Sequence, residues 1–168
     1  ENQYLADEYA TGFLKYYANE SYAFVALLPQ EGMSVQDYAA TLTGKHLQQL
    51  LANAENTQVI TATPKFTSEY SAEMSQLLQN MGMTTAFDKE TADFSKLGSS
   101  SAGNIYINQV LHKTYLSLDE NGTKAGAATA VEMADEAAAV EPIEPKEVYL
   151  NRPFVYLLID CEANLPLF

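Results

Sequence analysis

The side chains that usually carry out catalysis are sparse in this chain of 168 residues. It has two histidines, His46 and His112, far apart in the sequence, and a single cysteine, Cys161. Because His46 has no second histidine or cysteine at metal-ligand spacing, we interpret it as an ordinary surface or packing residue. The sequence contains no nucleophile elbow, phosphate-binding loop or paired-cysteine zinc motif. It therefore predicts that the protein is not an enzyme and has no cofactor or metal site.

One long segment, residues 122–145, nevertheless has a composition that suggests a function. Its first half is built from Gly, Ala and Thr, and its second half is acidic and ends in prolines. Loops of more than about 12 to 15 residues without structure are uncommon and usually functional or disordered. At a period of two, Thr123 and Ala125 share one face and Lys124 lies on the other, which is typical of a strand with a small buried side. Ala is also the best helix former, so composition alone fits a helix or a linker about as well.

The sequences on both sides of this segment resemble the serpin family. HKTYLSLDENGTKAGAATA, residues 112–130, is similar to the strand and proximal hinge of an inhibitory serpin. VYLNRPFVYLL, residues 148–158, fits the C-terminal signature of the family position by position, and MGMTTAFDKETADFSKL, residues 81–97, is a further serpin-like segment. The resemblance covers essentially the whole chain, which looks like the C-terminal half of an inhibitory, bacterial-like serpin.

The resemblance implies an α+β class and a serpin fold. We expect predominantly antiparallel and mixed β-sheets, a few short helices and a long exposed reactive loop at about residues 122–145. Residues 1–168 would be the C-terminal portion of a single serpin domain. Since the strand beside which the loop inserts has no counterpart here, we expect the missing N-terminal half, or another chain, as a partner.

The resemblance also implies a serine-type endopeptidase inhibitor that acts as a suicide substrate for a serine protease. The protease would cleave the loop, and the freed arm would enter the main sheet before the acyl-enzyme is hydrolysed. The alternative is a non-inhibitory serpin acting as a carrier, chaperone or storage protein. The small hinge favours inhibition, although Lys124 departs from the acidic residue common at its position. The hinge residues implied are Glu120, Gly122, Thr123, Lys124, Ala125, Gly126, Ala127 and Ala128.

Counting from the hinge places the reactive bond. The spacing common in the family predicts a reactive bond between Glu136 and Ala137. The stretch from there to Pro153 is longer than usual, however, so every bond within residues 134–140 stays a candidate. The alanines and Val140 would suit an elastase-like protease, whereas Glu136 would suit an acid-selective one. Because residues 134–140 include no basic side chain, a trypsin-like target is not expected.

Two further residues are implied where the main sheet opens. Lys65 follows Pro64 in the strand expected beside the loop strand, so we predict an ion pair between Lys65 and Glu120. His112 has apolar neighbours and is interpreted as a satisfied core residue. The matching histidine of the family hydrogen-bonds across the middle of the main sheet, and its partner would lie in the missing half.

Composition excludes other classes of partner. A formal net charge of −13, with nine Lys and Arg residues, argues against nucleic acid, because phosphate contacts need clustered basic side chains. No apolar run approaches the roughly 20 residues that span a bilayer, so no membrane partner is expected. The single cysteine allows no intrachain disulfide, and the chain begins at Glu1 without a signal-like segment. We expect an extracellular protein whose signal is not visible in this fragment.

Hydrophobic periodicity predicts the elements that must position the loop. Helices are expected at residues 34–51, split at Gly44 and capped by Ser34, and at residues 71–81, ended by Gly82. Strands are expected at residues 3–17, 21–28, 57–69 with a break at Pro64, 105–119, 146–150, 154–159 and 165–168.

Overall fold

Strands predominate over helices in the part of the chain that the computed structural model describes, which is residues 2–119, 122–123 and 144–168. Two compact units are formed, Glu1–Lys65 with Leu118–Phe168, and Phe66–Ser117. In chain order the elements are β1 (Asn2–Ala6), β2 (Ala10–Tyr16), β3 (Tyr22–Pro29), α1 (Val35–Thr41), α2 (Gly44–Ala52), β4 (Val59–Ala62), β5 (Phe66–Glu73), α3 (Ser75–Asn80), β6 (Leu111–Asp119), β7 (Gly122–Thr123), β8 (Lys146–Tyr149), β9 (Val155–Asp160) and β10 (Leu165–Pro166), with a single 3-10 turn at Thr85–Phe87.

A five-stranded antiparallel sheet holds the hydrophobic core of the first unit. Its strand order is β1-β2-β3-β9-β10. Every residue of β3 after Tyr22 is buried, as its unbroken apolar sequence predicts for a strand covered on both faces. Tyr38 of α1 and Leu50 of α2 belong to the same core cluster as Val25 and Leu27 of β3. The two helices therefore cover one face of this sheet.

The predicted split between the first two helices is confirmed. The Ser34 hydroxyl accepts a hydrogen bond of 3.0 Å from the Asp37 amide, and the Thr43 hydroxyl accepts one of 3.2 Å from the His46 amide. Each hydroxyl satisfies a backbone donor in the first turn of a helix, so each helix has its own N-cap. Gly44 is the first residue of α2, directly after the second cap.

The single strand predicted at residues 3–17 is wrong. The chain turns after Ala6, and β1 and β2 pair with each other in antiparallel register, with Ala6 opposite Thr11. Asp7 makes this turn, because its carboxylate accepts the backbone N–H groups of Tyr9 at 2.8 Å and Ala10 at 2.7 Å. The apolar residues on both sides of Asp7 suit either arrangement, so periodicity did not reveal the turn.

The second unit corrects two predicted boundaries. Residues 71–73 belong to β5 and not to a helix, and α3 starts only at Ser75. The reason is a long-range contact: the Met74 amide donates to the Val110 carbonyl at 2.9 Å, and the Val110 amide donates to the Ser75 hydroxyl at 3.0 Å. Strand pairing thus continues to the edge of α3. Gly82, with a φ of +103°, follows the helix as predicted.

The strand predicted to start at residue 105 starts at Leu111. Before it, the Ile107 amide donates to the Ala86 carbonyl at 2.9 Å, and the Asn104 side chain donates to the Ala92 carbonyl at 2.8 Å. These two hydrogen bonds tie residues 104–107 to the loop at residues 86–92. This part of the chain therefore does not pair with a neighbouring strand, and β6 begins later.

Candidate functional site

The candidate site begins where β6 leads into the long loop. Leu116 and Leu118 are buried, whereas Tyr115 in the same strand is 62% exposed. Gly122 and Thr123 form β7, which pairs antiparallel with the end of β6 in the register Leu118 with Thr123 and Asp119 with Gly122. The strand order is β5-β6-β7, so β7 lies on the side of β6 opposite to β5. The first two described loop residues therefore add to the sheet as its third strand.

The residues paired at this point are close together in the sequence. Two residues separate Asp119 from Gly122, and a two-residue connection is the commonest way to join antiparallel strands. The period-two pattern of this segment favoured a strand as one of its alternatives, but hydrophobic periodicity gives neither the partner strand nor the register of β7.

The other end of the loop is anchored by β8. This strand pairs in parallel with β4, and the Lys146 amide donates to the Gln58 carbonyl at 2.9 Å. Val148 is 1% exposed, so β8 is also fixed by side-chain packing. These contacts hold the chain firmly from Lys146 onwards.

A guanidinium strengthens this anchor just after β8. Arg152 donates from Nη2 to the Pro29 carbonyl at 2.8 Å and from Nε to the same oxygen at 3.2 Å. Pro29 ends the central strand β3, so the bond connects the chain after β8 to the centre of the large sheet. Sequence reasoning did not predict this role for Arg152, since no local pattern points to a carbonyl so distant along the chain.

Lys65 and His112 are the site residues whose side chains are described. Lys65 is exposed and directly precedes β5, the strand next to β6 in the sheet. His112, the second residue of β6, is exposed, and its interpretation as a satisfied core residue is wrong for this chain. His112 has an apolar neighbour in sequence, Leu111, but no other described part of this chain packs over the first three residues of β6, which are all exposed. The role of either residue in gating the sheet stays a prediction.

The remaining predicted site residues fall in the hinge and around the reactive bond. For Gly122 and Thr123 the structure describes the backbone pairing given above. The others lie outside the described residues, namely Glu120, Lys124, Ala125, Gly126, Ala127, Ala128, Glu136 and Ala137. Their assignments stay predictions, as does the ion pair between Lys65 and Glu120.

The described part of the chain has neither a metal-binding cluster nor a membrane-spanning helix. Residues 2–119, 122–123 and 144–168 contain no group of three or more His, Cys, Asp or Glu side chains placed to hold a metal ion. Within the same ranges, no helix has the length and apolar character needed to cross a membrane.

Comparison with known proteins identifies the family. The family model described as "Serpin (serine protease inhibitor)" matches residues 4–168. An uncharacterized serpin-like protein of Thermococcus kodakarensis is 36% identical over 152 residues, which are 90% of this chain and 34% of that protein. Intracellular coagulation inhibitor 2 of Tachypleus tridentatus is 30% identical over 152 residues, or 90% of this chain and 36% of that protein.

The fold comparison agrees with the family. The crystal structure of the thermophilic serpin tengpin in its native state matches with a TM-score of 0.78 and 51% sequence identity, over 99% of this chain and 42% of that one. The chain thus spans between about a third and two fifths of the length of these relatives. The expected fold, with its mixed sheets and few helices, is confirmed, and the chain belongs to the serpin family.

Proposed function

We propose that this chain is the loop-bearing part of a serine-protease inhibitor that acts as a suicide substrate. The observation that carries the proposal is the pairing of Gly122 and Thr123 with the end of β6, antiparallel and on the side away from β5. A loop that enters a sheet beside the strand from which it emerges must run in this direction. The hinge therefore starts in the register that full insertion would continue.

The proposed reaction has an ordinary first step. The protease serine attacks the carbonyl carbon of the reactive bond, the new amine end leaves, and the enzyme is held as an acyl ester. Residues 122–136 are then freed at one end and extend β7 along β6, so that unpaired backbone groups gain strand hydrogen bonds. The attached enzyme is carried away from the anchored strand β8 before water cleaves the ester. Inhibition depends on insertion being faster than deacylation.

The anchor at β8 gives this step its direction. Lys146 and Val148 are held by pairing and burial, and Arg152 is bonded to the Pro29 carbonyl. The chain after the proposed cut is thus held from Lys146 onwards, and in the proposed mechanism the hinge side of the loop is the part that moves once the bond is broken. The displacement of the enzyme follows from this asymmetry.

Specificity is proposed from the loop sequence. The bond between Glu136 and Ala137, within the range 134–140, is followed by small apolar residues that suit an elastase-like protease. To test this, the full-length protein is incubated with an elastase and, in parallel, with trypsin, and the products are run on a denaturing gel. A complex of elastase with the inhibitor that survives denaturation supports both the mechanism and the target class. Free active elastase with cleaved protein as the only product would reject the mechanism.

Mass spectrometry of the same reaction locates the bond. A new C-terminus between residues 134 and 140 is expected, with Glu136 as the first choice. Cleavage at Lys124 alone would reject the assigned reactive bond, because a cut there leaves no arm to insert.

We also propose that activity needs the rest of a serpin domain, or a second chain that replaces it. Among the described residues of the unit Phe66–Ser117, only Ala92 and Leu116 are buried hydrophobic residues. In the same unit, large apolar side chains are exposed, namely Tyr70, Leu77, Met81, Met83, Leu97, Leu111 and Tyr115. A sheet needs a covered apolar face for stability. Residues 1–168 alone are expected to associate or to melt without cooperativity, and a monodisperse, cooperatively melting monomer would refute this.

The second candidate function is a non-inhibitory carrier, chaperone or storage protein. The family model is described as a serine protease inhibitor, which supports the proposal that the protein is not an enzyme under either candidate function. The carrier function would be favoured if elastase cut the loop and formed no stable complex. The proposed location is extracellular and rests on the expected protease target alone. The relatives do not support it, because the one from Tachypleus tridentatus is named an intracellular inhibitor.

A further inference from the structure

A cation at the returning end of the loop lies over an aromatic ring of the large sheet. Lys146 is the first residue of β8, and its Nζ lies 5.5 Å from the centre of the Tyr4 ring in β1. A cation within about 6 Å of the centre of an aromatic ring is attracted by the negative face of that ring. The contact therefore joins the returning end of the loop to the edge strand of the five-stranded sheet.

The backbone around Tyr4 holds this ring in position. The Tyr4 amide donates to the Glu55 carbonyl, and the Glu55 amide donates to the Tyr4 carbonyl, both at 2.9 Å. On its other side, Tyr4 lies opposite Phe13 in the antiparallel pairing of β1 with β2. The backbone of Tyr4 is thus fixed from both sides, although β1 is an edge strand. Its ring offers Lys146 a surface that does not move with the loop.

Strand pairing alone holds β8 weakly, so contacts at its ends are important. Among the described residues its strand partner is β4, which pairs with it in parallel over four residues. A sheet of two strands is at best marginally stable by itself in water. Within β8 only Val148 is buried. The Lys146 contact before this residue and the Arg152 bonds to the Pro29 carbonyl after it therefore clamp both ends of β8 to the large sheet.

We propose that Tyr4 is a positioning residue for the reactive loop, because its ring holds Lys146 and so keeps β8 in place while the loop is uncut. The role in the loop rests on the proposed function. The hinge at β7 already pairs with β6 in the direction of insertion, so the attachment at β8 restrains an uncut loop. A detached β8 would give the intact loop the length to extend β7, and the protein would lose activity without meeting a protease. The Tyr4 ring slows this loss.

Hydrogen exchange of the full-length protein measures the opening of β8. The reporting amides are those of Lys146 and Leu150, which donate to the carbonyls of Gln58 at 2.9 Å and Ala62 at 2.8 Å. Loss of an exposed cation–π contact changes an equilibrium by about two- to five-fold. Tyr4→Leu should therefore speed the exchange of both amides by this factor. The matched control is Tyr4→Phe, which keeps an aromatic ring and should exchange like the parent.

Variants of the lysine separate the cation from simple packing. Lys146→Met removes the charge and should speed exchange at Leu150 as Tyr4→Leu does, whereas Lys146→Arg keeps the charge and should exchange like the parent. The double variant with Tyr4→Leu and Lys146→Met should show no further increase, because both changes remove the same contact. Additive increases would overturn the clamp, as would faster exchange in Tyr4→Phe. An increase that includes the amides of β3 would also overturn it, since the effect would then not be confined to β8.

Inhibitory activity after incubation without protease tests the consequence for the loop. Tyr4→Leu should lose activity towards elastase about two- to five-fold faster than the parent and Tyr4→Phe, with no cut in the chain. Equal rates of loss for Tyr4→Leu and the parent would overturn the positioning role. Failure of the proposed function gives a different result, because the parent itself would then form no complex with elastase. The exchange rates at β8 would still support or refute the clamp in that case.

Discussion

Gly12 offers a sharp test of the packing between β2 and β3. A Cβ atom added at this position would meet the backbone carbonyl oxygen of Ala26 at a separation that no real Cβ shows, and would lie 2.8 Å from Cδ2 of Leu27. The Leu27 side chain is 1% exposed, so it cannot turn outwards to solvent without leaving the core. The Ala26 carbonyl belongs to β3, which pairs with β2 along its whole length, so it cannot retreat without breaking hydrogen bonds.

The expected cost of Gly12→Ala follows from these contacts. Overpacking a well-packed core typically costs about 1–3 kcal/mol. Alanine also restricts the unfolded chain more than glycine does, which by itself stabilises the folded state by about 0.4–1 kcal/mol. We therefore expect a net loss of about 1–2 kcal/mol in the free energy of unfolding. Urea unfolding of the full-length protein, followed by far-UV circular dichroism, measures it.

Gly44→Ala is the matched control for this change. Gly44 is the first residue of α2, and a Cβ added there would meet no heavy atom within 4 Å. Alanine is the better helix former, by up to about 1 kcal/mol in a helix interior, so this variant should be as stable as the parent or more stable. If Gly12→Ala is as stable as Gly44→Ala, the close approach of β2 to β3 is wrong, and with it the register that places Gly12 opposite Leu27.

Three further predictions concern the hinge, the gate and the surface loop. Thr123→Arg would bring a charge into the sheet during insertion, at a cost of several kcal/mol. The full-length variant should therefore become a substrate that elastase cleaves without forming a covalent complex, whereas the control Lys124→Arg should inhibit like the parent. Full inhibition by Thr123→Arg would exclude loop insertion. Lys65→Ala and Glu120→Ala should show a coupling energy of about 0.2–1 kcal/mol in a double-mutant cycle of urea unfolding, and additive effects, which correspond to no coupling, would contradict their ion pair. Hydrogen bonds from the amides of Glu90 and Thr91 lower the pKa of Asp88, so these loop contacts are fully present above the ordinary aspartate range and are lost as the pH falls through the lowered pKa. Carbon-13 NMR should show Asp88 titrating below an ordinary aspartate. The amide chemical shifts of Glu90 and Thr91 should change over the same pH range, and Asp88→Asn should abolish that change.

The parts of the fold that the sequence predicted well are those set by neighbouring residues. Ser34 and Thr43 hydroxyls cap their helices through residues three positions ahead, which is a local contact. The break at Pro64 is local too, since proline lacks the backbone donor that a strand needs. These features depend on a few adjacent side chains, and their positions agree with the structure.

The errors arise where distant parts of the chain compete for the same backbone. Residues 71–73 have helical spacing in their sequence context, yet they lie in β5, and the contacts of Met74 and Ser75 with Val110 prolong that pairing. The Asp7 turn is fixed by two short side-chain contacts within a run that could have stayed extended. For the candidate site, composition and resemblance pointed to the hinge, but only the register of β7 shows how the hinge leaves β6.

Burial differs between the large sheet and β6, the strand that leads into the loop. The large sheet contains a continuous core that includes Leu5, Val25 and Ile159, all with 1% exposure or less. By contrast, β6 is buried only towards its end, at Leu116 and Leu118, and its first half is exposed. Under the proposed mechanism, β6 receives the loop while the anchor at β8 stays fixed. Leu118→Ala separates these roles: it should lower stability by about 2–5 kcal/mol through the lost packing and should also speed loop insertion, whereas Val148→Ala should lower stability without speeding insertion.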